Sequence, residues 1–256
     1  MLDVKNLTKR FGGLTAVDDL SFHVAKGTVH AIIGPNGAGK TTLVNMITGV
    51  YRADGGSVWL DGGDITNVAT DQLVYRGVCR TFQHLEVCGH MTVLENVLLG
   101  FDRYLTKGLI ATAFRTRRVR EDEQRYTERA MHLLGLIGIE SYAHTLAKNL
   151  SYGILKKLEI IRALATSPEL ILLDEPVAGL NPAETAEVAE LIRTVTADEV
   201  TIILVEHDMK MVMELSDHIT VMNFGRKLAE GSPDDIRNDP AVITAYLGKG
   251  DEDGLA

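Results

Sequence analysis

Gly34-Pro35-Asn36-Gly37-Ala38-Gly39-Lys40-Thr41 is the stretch that decides the fold. It satisfies G-x-x-x-x-G-K-[ST], follows the apolar run Val29 to Ile33, and precedes Thr42-Leu43-Val44-Asn45-Met46-Ile47. The run before it reads as a buried strand and the segment after it as the first turns of a helix. Strand, glycine loop and helix together make this pattern a phosphate cradle. Gly34, Gly37 and Gly39 let the backbone bend so that successive N–H groups point inward at phosphate oxygens, with Pro35, Asn36, Ala38 and Thr42 completing the loop. A helix beginning at Lys40 aims its positive dipole end at the same place. Lys40 can reach the β- and γ-phosphates, and Thr41 can offer its hydroxyl to Mg²⁺. The motif therefore implies binding of a nucleoside triphosphate.

Composition sets the frame. The 256 residues are 45% hydrophobic and 24% charged, an ordinary globular balance that suits one large domain or one domain with a substantial insertion. The formal net charge of -9 disfavours broad electrostatic binding to nucleic acid. Two cysteines, Cys79 and Cys88, match no zinc or redox spacing and read as free thiols in a reducing compartment. The start, Met1-Leu2-Asp3-Val4-Lys5, lacks the basic-then-apolar order of a signal peptide. No apolar run approaches the ~18–20 residues that cross a bilayer. A cytoplasmic protein is expected, reaching a membrane only through a partner.

Along the chain, the region up to Gly62 is strand-rich, with Leu2-Asp3-Val4, Thr15-Ala16-Val17, Ser21-Phe22-His23-Val24 and Ser57-Val58-Trp59-Leu60 separated by turns at Gly12-Gly13, Lys26-Gly27 and Asp54-Gly55-Gly56. Residues 85–165 read as helical, most clearly at 93–99 and 129–137. Between these lies Arg115-Thr116-Arg117-Arg118-Val119-Arg120, followed by Glu121-Asp122-Glu123. It is read as a solvated helix face, or else a contact to a partner or to lipid headgroups. Unbroken apolar runs return at Leu170-Ile171-Leu172-Leu173 and Thr201-Ile202-Ile203-Leu204-Val205, with a helix expected over 182–196. Such runs mark strands buried on both faces of a parallel sheet, and the alternation with helices predicts a doubly wound α/β core. A closing hairpin brackets Asn223-Phe224-Gly225, and residues 249–256 read as a disordered tail.

Asp174 and Glu175 follow the first of those runs, placing two carboxylates at the strand end where ligands of open α/β sheets bind. Asp174 suits the water shell of Mg²⁺, and Glu175 suits orientation or deprotonation of an attacking water. His207, in Val205-Glu206-His207-Asp208, ends the neighbouring strand and is read as a γ-phosphate contact rather than a structural histidine. Gln83 closes Cys79-Arg80-Thr81-Phe82-Gln83, at the junction between core and helical segment, where a coupling role is expected. Leu150-Ser151-Tyr152-Gly153 precedes another helix. Ser151 alone is explained as a helix N-cap; beside the other motifs it reads as a phosphate sensor using hydroxyl and helix dipole.

The order of these motifs, phosphate loop, Gln83, Ser151 segment, acid pair and His207, resembles the ATP-binding-cassette family over nearly the whole chain. The resemblance implies an α/β P-loop NTPase spanning residues 1–248, with a mostly parallel core sheet, an N-terminal antiparallel β subdomain and an inserted α-helical subdomain. It implies an ATPase that uses ATP and Mg²⁺, with Glu175, His207 and Gln83 catalytic and Thr41, Gln83 and Asp174 around the metal. Phe11 resembles the aromatic residue that stacks on adenine. Ser151 and Gly153 resemble the signature pair that faces the γ-phosphate of a second cassette, and Ala178-Gly179-Leu180-Asn181 the loop that crosses to it. The signature reads Leu150-Ser151-Tyr152-Gly153-Ile154 where Leu-Ser-Gly-Gly-Gln is usual, and Asn181 stands where aspartate is commoner.

With Lys156-Lys157-Leu158-Glu159-Ile160, the stretch from Lys9 to Val17 and the closing Ile243-Thr244-Ala245-Tyr246-Leu247-Gly248, these departures are similar to ATPases of branched-chain amino acid importers. The resemblance then implies a partner cassette as homodimer or sister-cassette heterodimer, transmembrane permease subunits, an external substrate-binding protein acting indirectly, and a peripheral place on the inner face of the membrane. Amide or urea importers share much of the pattern; an exporter ATPase and a cassette ATPase without a membrane role are the remaining alternatives.

Overall fold

Glycine turns divide the apolar runs of the chain into strands that build two sheets. The computed structural model describes residues 1–81, 85–104 and 117–247. Strands β1 (Leu2–Phe11) and β2 (Leu14–Val24) form a hairpin closed at Gly12-Gly13. They are longer than the short runs read from the sequence. Register shifts near Leu7 and Lys9 break the simple alternation, so continuous strands look like fragments in the pattern. Strand β4 (Gly55–Leu60) pairs antiparallel with β1, and β5 (Gly63–Asp64) with β4, giving the order β2-β1-β4-β5.

The second sheet contains β3 (Val29–Ile33), β6 (Val78–Arg80), β7 (Leu170–Asp174), β8 (Thr201–Val205), β9 (His218–Asn223) and β10 (Arg226–Gly231), in the order β10-β9-β3-β8-β7-β6. All neighbours are parallel except β9 and β10. Every residue of β3, β7 and β8 is buried, as their unbroken apolar sequence predicts. Alternate side chains enter different cores: Ile32 joins Leu43, Val44, Leu172 and Ile203, whereas Ala31 and Ile33 join Val212, Ile219, Val221, Ile236 and Val242. Helix α1 (Lys40–Ile47) follows β3 through the glycine loop, and a short helix, α2 (Thr70–Tyr75), precedes β6.

The chain divides into two units. Residues 1–80, 169–175 and those from 192 onward make the first, which holds both sheets; residues 81–168 and 176–191 make the second. The second unit is helical. Helix α3 (Val93–Gly100) starts at a capping box in which the Thr92 hydroxyl accepts from the Glu95 amide and the Glu95 carboxylate accepts from the Thr92 amide. Helix α4 (Arg117–Gly135) takes up the end of the basic run, where exposed Arg117 pairs with Glu121 across one turn at 2.7 Å. Residues 105–116, including Arg115, lie outside the described residues. Helix α5 (Tyr152–Ala165) buries Leu158 and Ile161, α3 buries Val93 and Val97, and Phe101 stacks obliquely on Tyr126 at 5.0 Å between ring centres. Helix α6 (Pro182–Ala197) runs through the division between the units at Leu191. The first unit ends with α7 (Met209–Leu215), α8 (Pro233–Arg237) and α9 (Pro240–Leu247). The tail expected at 249–256 lies outside the described residues.

Candidate functional site

Parallel strands all point their carboxyl ends one way, so the loops after β3, β7 and β8 emerge at one edge of the sheet. The glycine loop leaves β3, Asp174 closes β7, and Glu206-His207 follow β8. Gly34, Gly37 and Gly39 have φ of 153°, 81° and 102°. Gly39 occupies the N-cap of α1, and a Cβ there would lie 2.4 Å from the Ala16 carbonyl oxygen, so only glycine fits the turn. The loop is tied down by backbone bonds: the Ala38 amide donates to Pro35, and the Gly225 amide to Ala38. The Lys40 ammonium donates to the carbonyls of Gly34 (2.5 Å) and Pro35 (3.2 Å), lying across the loop whose amides would receive phosphate. Thr41 is exposed and Thr42 half-buried at the first turn of α1.

Asp174 is buried and its Oδ2 accepts from the Arg80 guanidinium at 2.7 Å. Glu175 is half-buried, and its amide donates to the Val205 carbonyl at 2.8 Å. Its φ of 50° lies in the left-handed region, an uncommon conformation for a residue with a side chain and one that recurs at functional sites. That kink turns the second acid away from the path of the strand. Exposed His207 stands with Nδ1 3.8 Å from Glu175 Oε1 and 3.8 Å from the fully buried Glu206 carboxylate. The first unit thus brings together the glycine loop, Asp174, Glu175 and His207. Phe11 is more than one-third exposed at the end of β1, edge-on to Tyr51 at 5.4 Å with the Lys9 ammonium 5.4 Å from its ring centre.

The second unit carries the signature segment. Ser151 takes the N-cap position of α5, but its side chain makes no capping hydrogen bond, so the cap explanation of that serine does not hold. Gly153 is buried where a Cβ would come within 2.3 Å of Glu184 Oε1. The Asn181 side chain accepts from the amides of Ala183 and Glu184, so it caps α6. Gln83 lies outside the described residues.

Three features escaped sequence reasoning. Arg80 has no local pattern that marks it, because its partners are 35 and 94 residues away in the chain. Tyr51 supports Phe11 from the loop after α1, and no spacing rule links the two. Burial pushes the Tyr246 hydroxyl up to about 12, and a hydrogen bond with the Gly34 backbone works against that rise. Helix α9 therefore reaches the phosphate loop.

Among the described residues, no group of three or more His, Cys, Asp or Glu side chains is placed to hold a metal alone. One buried carboxylate and one helix-start hydroxyl are the donor set that Mg²⁺ takes when phosphate and water fill its remaining positions. The residues present therefore fit that ion.

A family model described as "ABC transporter" matches residues 17–178, and the chain belongs to that family of ATP-binding transport proteins. Residues 226–252 match a second model, described as "Branched-chain amino acid ATP-binding cassette transporter". The high-affinity branched-chain amino acid transport ATP-binding protein BraF of Pseudomonas aeruginosa is 44% identical over 97% of this chain and 98% of its own. A solved ATP-binding cassette of an ABC transporter in its ADP conformation has a TM-score of 0.84 at 35% identity, covering 97% of this chain and 98% of that one. A dimeric cassette in a post-hydrolysis state, bound to ADP and Pi, has a TM-score of 0.74 at 26% identity, covering 91% of this chain and 99% of that one.

Proposed function

We propose that this chain is the ATP-hydrolysing subunit of an importer for branched-chain or similar hydrophobic amino acids. The observation that carries the reading is the likeness to BraF from end to end, at 44% identity. The match at 226–252 supports the same substrate class from a separate segment.

In this reading the loop amides and Lys40 hold the β- and γ-phosphates, and the Lys40 ammonium exchanges its two carbonyl partners for phosphate oxygens. Phe11 stacks on adenine. Thr41 and Asp174, with Gln83, would hold Mg²⁺, and the ion would supply charge neutralisation at the phosphates. Glu175 accepts the proton of the attacking water or orients it, and His207 beside it donates toward the γ-phosphate. Ser151 presents its hydroxyl, and α5 its dipole, to the γ-phosphate held by a second cassette, with Gly153 admitting the close approach. Two chains thereby enclose nucleotide, and closure can drive transport because ATP adds contacts that exist only in the closed pair.

Among the described residues no helix is long and apolar enough to cross a membrane. The chain then works at the inner membrane face by docking on permease subunits, with an external binding protein supplying substrate. Nucleic acid has no part in this scheme, in keeping with the net charge of -9. The test is uptake by vesicles holding this chain with the permease and binding subunits that co-purify with it. ATP should drive entry of leucine, isoleucine or valine. ATP-driven entry of urea or short amides, with none of these amino acids, would overturn the assignment.

A further inference from the structure

Arg80 is the last residue of β6, at the edge of the parallel sheet, where the first of the three stretches that make up the first unit ends. Its side chain is more than nine-tenths buried and has two arms. Nη2 donates to Asp174 Oδ2 at 2.7 Å; Nη1 donates to Asn45 Oδ1 at 2.5 Å and lies 3.4 Å from the Thr48 hydroxyl. Asn45 is four residues beyond Thr41 on α1, which places the two on one face of the helix, a turn apart. The guanidinium therefore links the strand end that bears Asp174 to the helix that bears Thr41.

We propose that Arg80 is a positioning residue for the ATPase reaction: it fixes the Asp174 carboxylate relative to α1, so that Asp174 and Thr41 meet Mg²⁺ at a set separation. The proposal rests on the reading of Asp174 as a metal-facing residue. Arg80 takes Oδ2, so Oδ1 is the oxygen that would serve the water shell of the ion. A planar fork is needed to reach carboxylate and amide at once, and a lysine ammonium cannot span both in the same geometry. Groups that hold a metal-facing residue from behind commonly change metal affinity by ~10–100-fold when removed.

The test uses the full chain and a fluorescent ATP analogue, titrated in EDTA and then across a Mg²⁺ series, with thermal unfolding alongside. In EDTA, Arg80→Gln should bind within about twofold of the parent, because Lys40 and the loop are separate from it. It should need ~10-fold more Mg²⁺ for half-maximal enhancement, with Arg80→Lys in between. Breaking a buried ion pair risks the fold, so Asn45→Ala is the second variant. It keeps the pair, removes one arm, and should raise the Mg²⁺ requirement about threefold.

Asp174→Asn separates this proposal from the reading beneath it and should abolish the Mg²⁺ response. If Asp174→Asn responds like the parent, the metal assignment fails and the role of Arg80 falls with it. If Asp174→Asn loses the response while Asn45→Ala and a folded Arg80→Gln keep it, the role of Arg80 alone is overturned. Equal losses of affinity in EDTA and in Mg²⁺ would mark a structural staple and overturn it too.

Discussion

The phosphate loop and the signature segment each stand at the start of a helix, α1 and α5, yet they are built differently. In the first unit the loop is held by its own backbone bonds, Lys40 is occupied by Gly34 and Pro35, and Asp174 is occupied by Arg80. In the second unit Ser151 is exposed at the start of α5 without a capping bond, and Tyr152 beside it is exposed as well. Lys40 and Asp174 have partners within their own unit, whereas the Ser151 hydroxyl faces solvent without a capping bond. Under the proposed function, the difference separates changes that act on the isolated chain from those that act only on a pair.

The largest effect expected on the self-satisfied side is at Glu175. Glu175→Gln leaves the loop and Lys40 intact and removes the group proposed to handle water, so nucleotide binding should persist while turnover falls ~10²–10⁴-fold. ATPase assays with the transporter partners present check this, and near-parental turnover would remove Glu175 from the mechanism.

A second test separates the stability of the first unit from its nucleotide chemistry. His30 in β3 is fully buried, hydrogen-bonded to Thr220 at 2.9 Å, and burial pushes its pKa down to about 4, with His218 nearby acting in the same direction. An unfolded histidine takes up a proton below about 6.5 while the folded one resists until about 4. The stability this residue contributes is thus present above pH 6.5 and is lost as pH falls toward 4, by up to ~3 kcal/mol. Unfolding free energy measured from pH 7 to 4 should fall more steeply for the parent than for His30→Gln. Parallel slopes would place the acid sensitivity elsewhere.

Lys40→Ala comes next. Loss of a charge-assisted bond to phosphate should weaken nucleotide binding by ~1.5–3 kcal/mol, roughly 13- to 160-fold, with no need of a second chain. Titration of a fluorescent ATP analogue reads it directly, and unchanged affinity would mean that the glycine loop is not the site.

The smallest expected effect is the sharpest test of the contrast. In the Glu175→Gln background, ATP should promote self-association detectable by sedimentation. Adding Ser151→Ala should weaken that association by ~0.5–1.5 kcal/mol while leaving nucleotide affinity of the separated chain unchanged. If Ser151→Ala lowers affinity in the separated chain, the two half-sites are not divided as described. If ATP never promotes association, a sister cassette replaces the second copy.

Much of this arrangement was legible in the sequence. The glycine loop, the buried runs of β7 and β8, the acid pair after β7 and His207 after β8 are each written in consecutive residues, because a strand buried on both faces and a tight glycine turn impose local patterns. From those runs and their order the α/β fold and the family followed, and the nucleotide site was proposed. Tertiary structure decided the rest. Asp174 finds Arg80 across 94 residues, Arg80 finds Asn45 across 35, and His30 finds Thr220 across 190. It also set the left-handed turn at Glu175 and the reach of Tyr246 to Gly34. Such pairs share no spacing because each partner sits on its own strand or helix, and only the order of strands in the sheet brings them within hydrogen-bond range. Local periodicity determines which elements form; the burial of polar groups between elements, and the bonds each must then find, is fixed only when the sheet and helices close on one another.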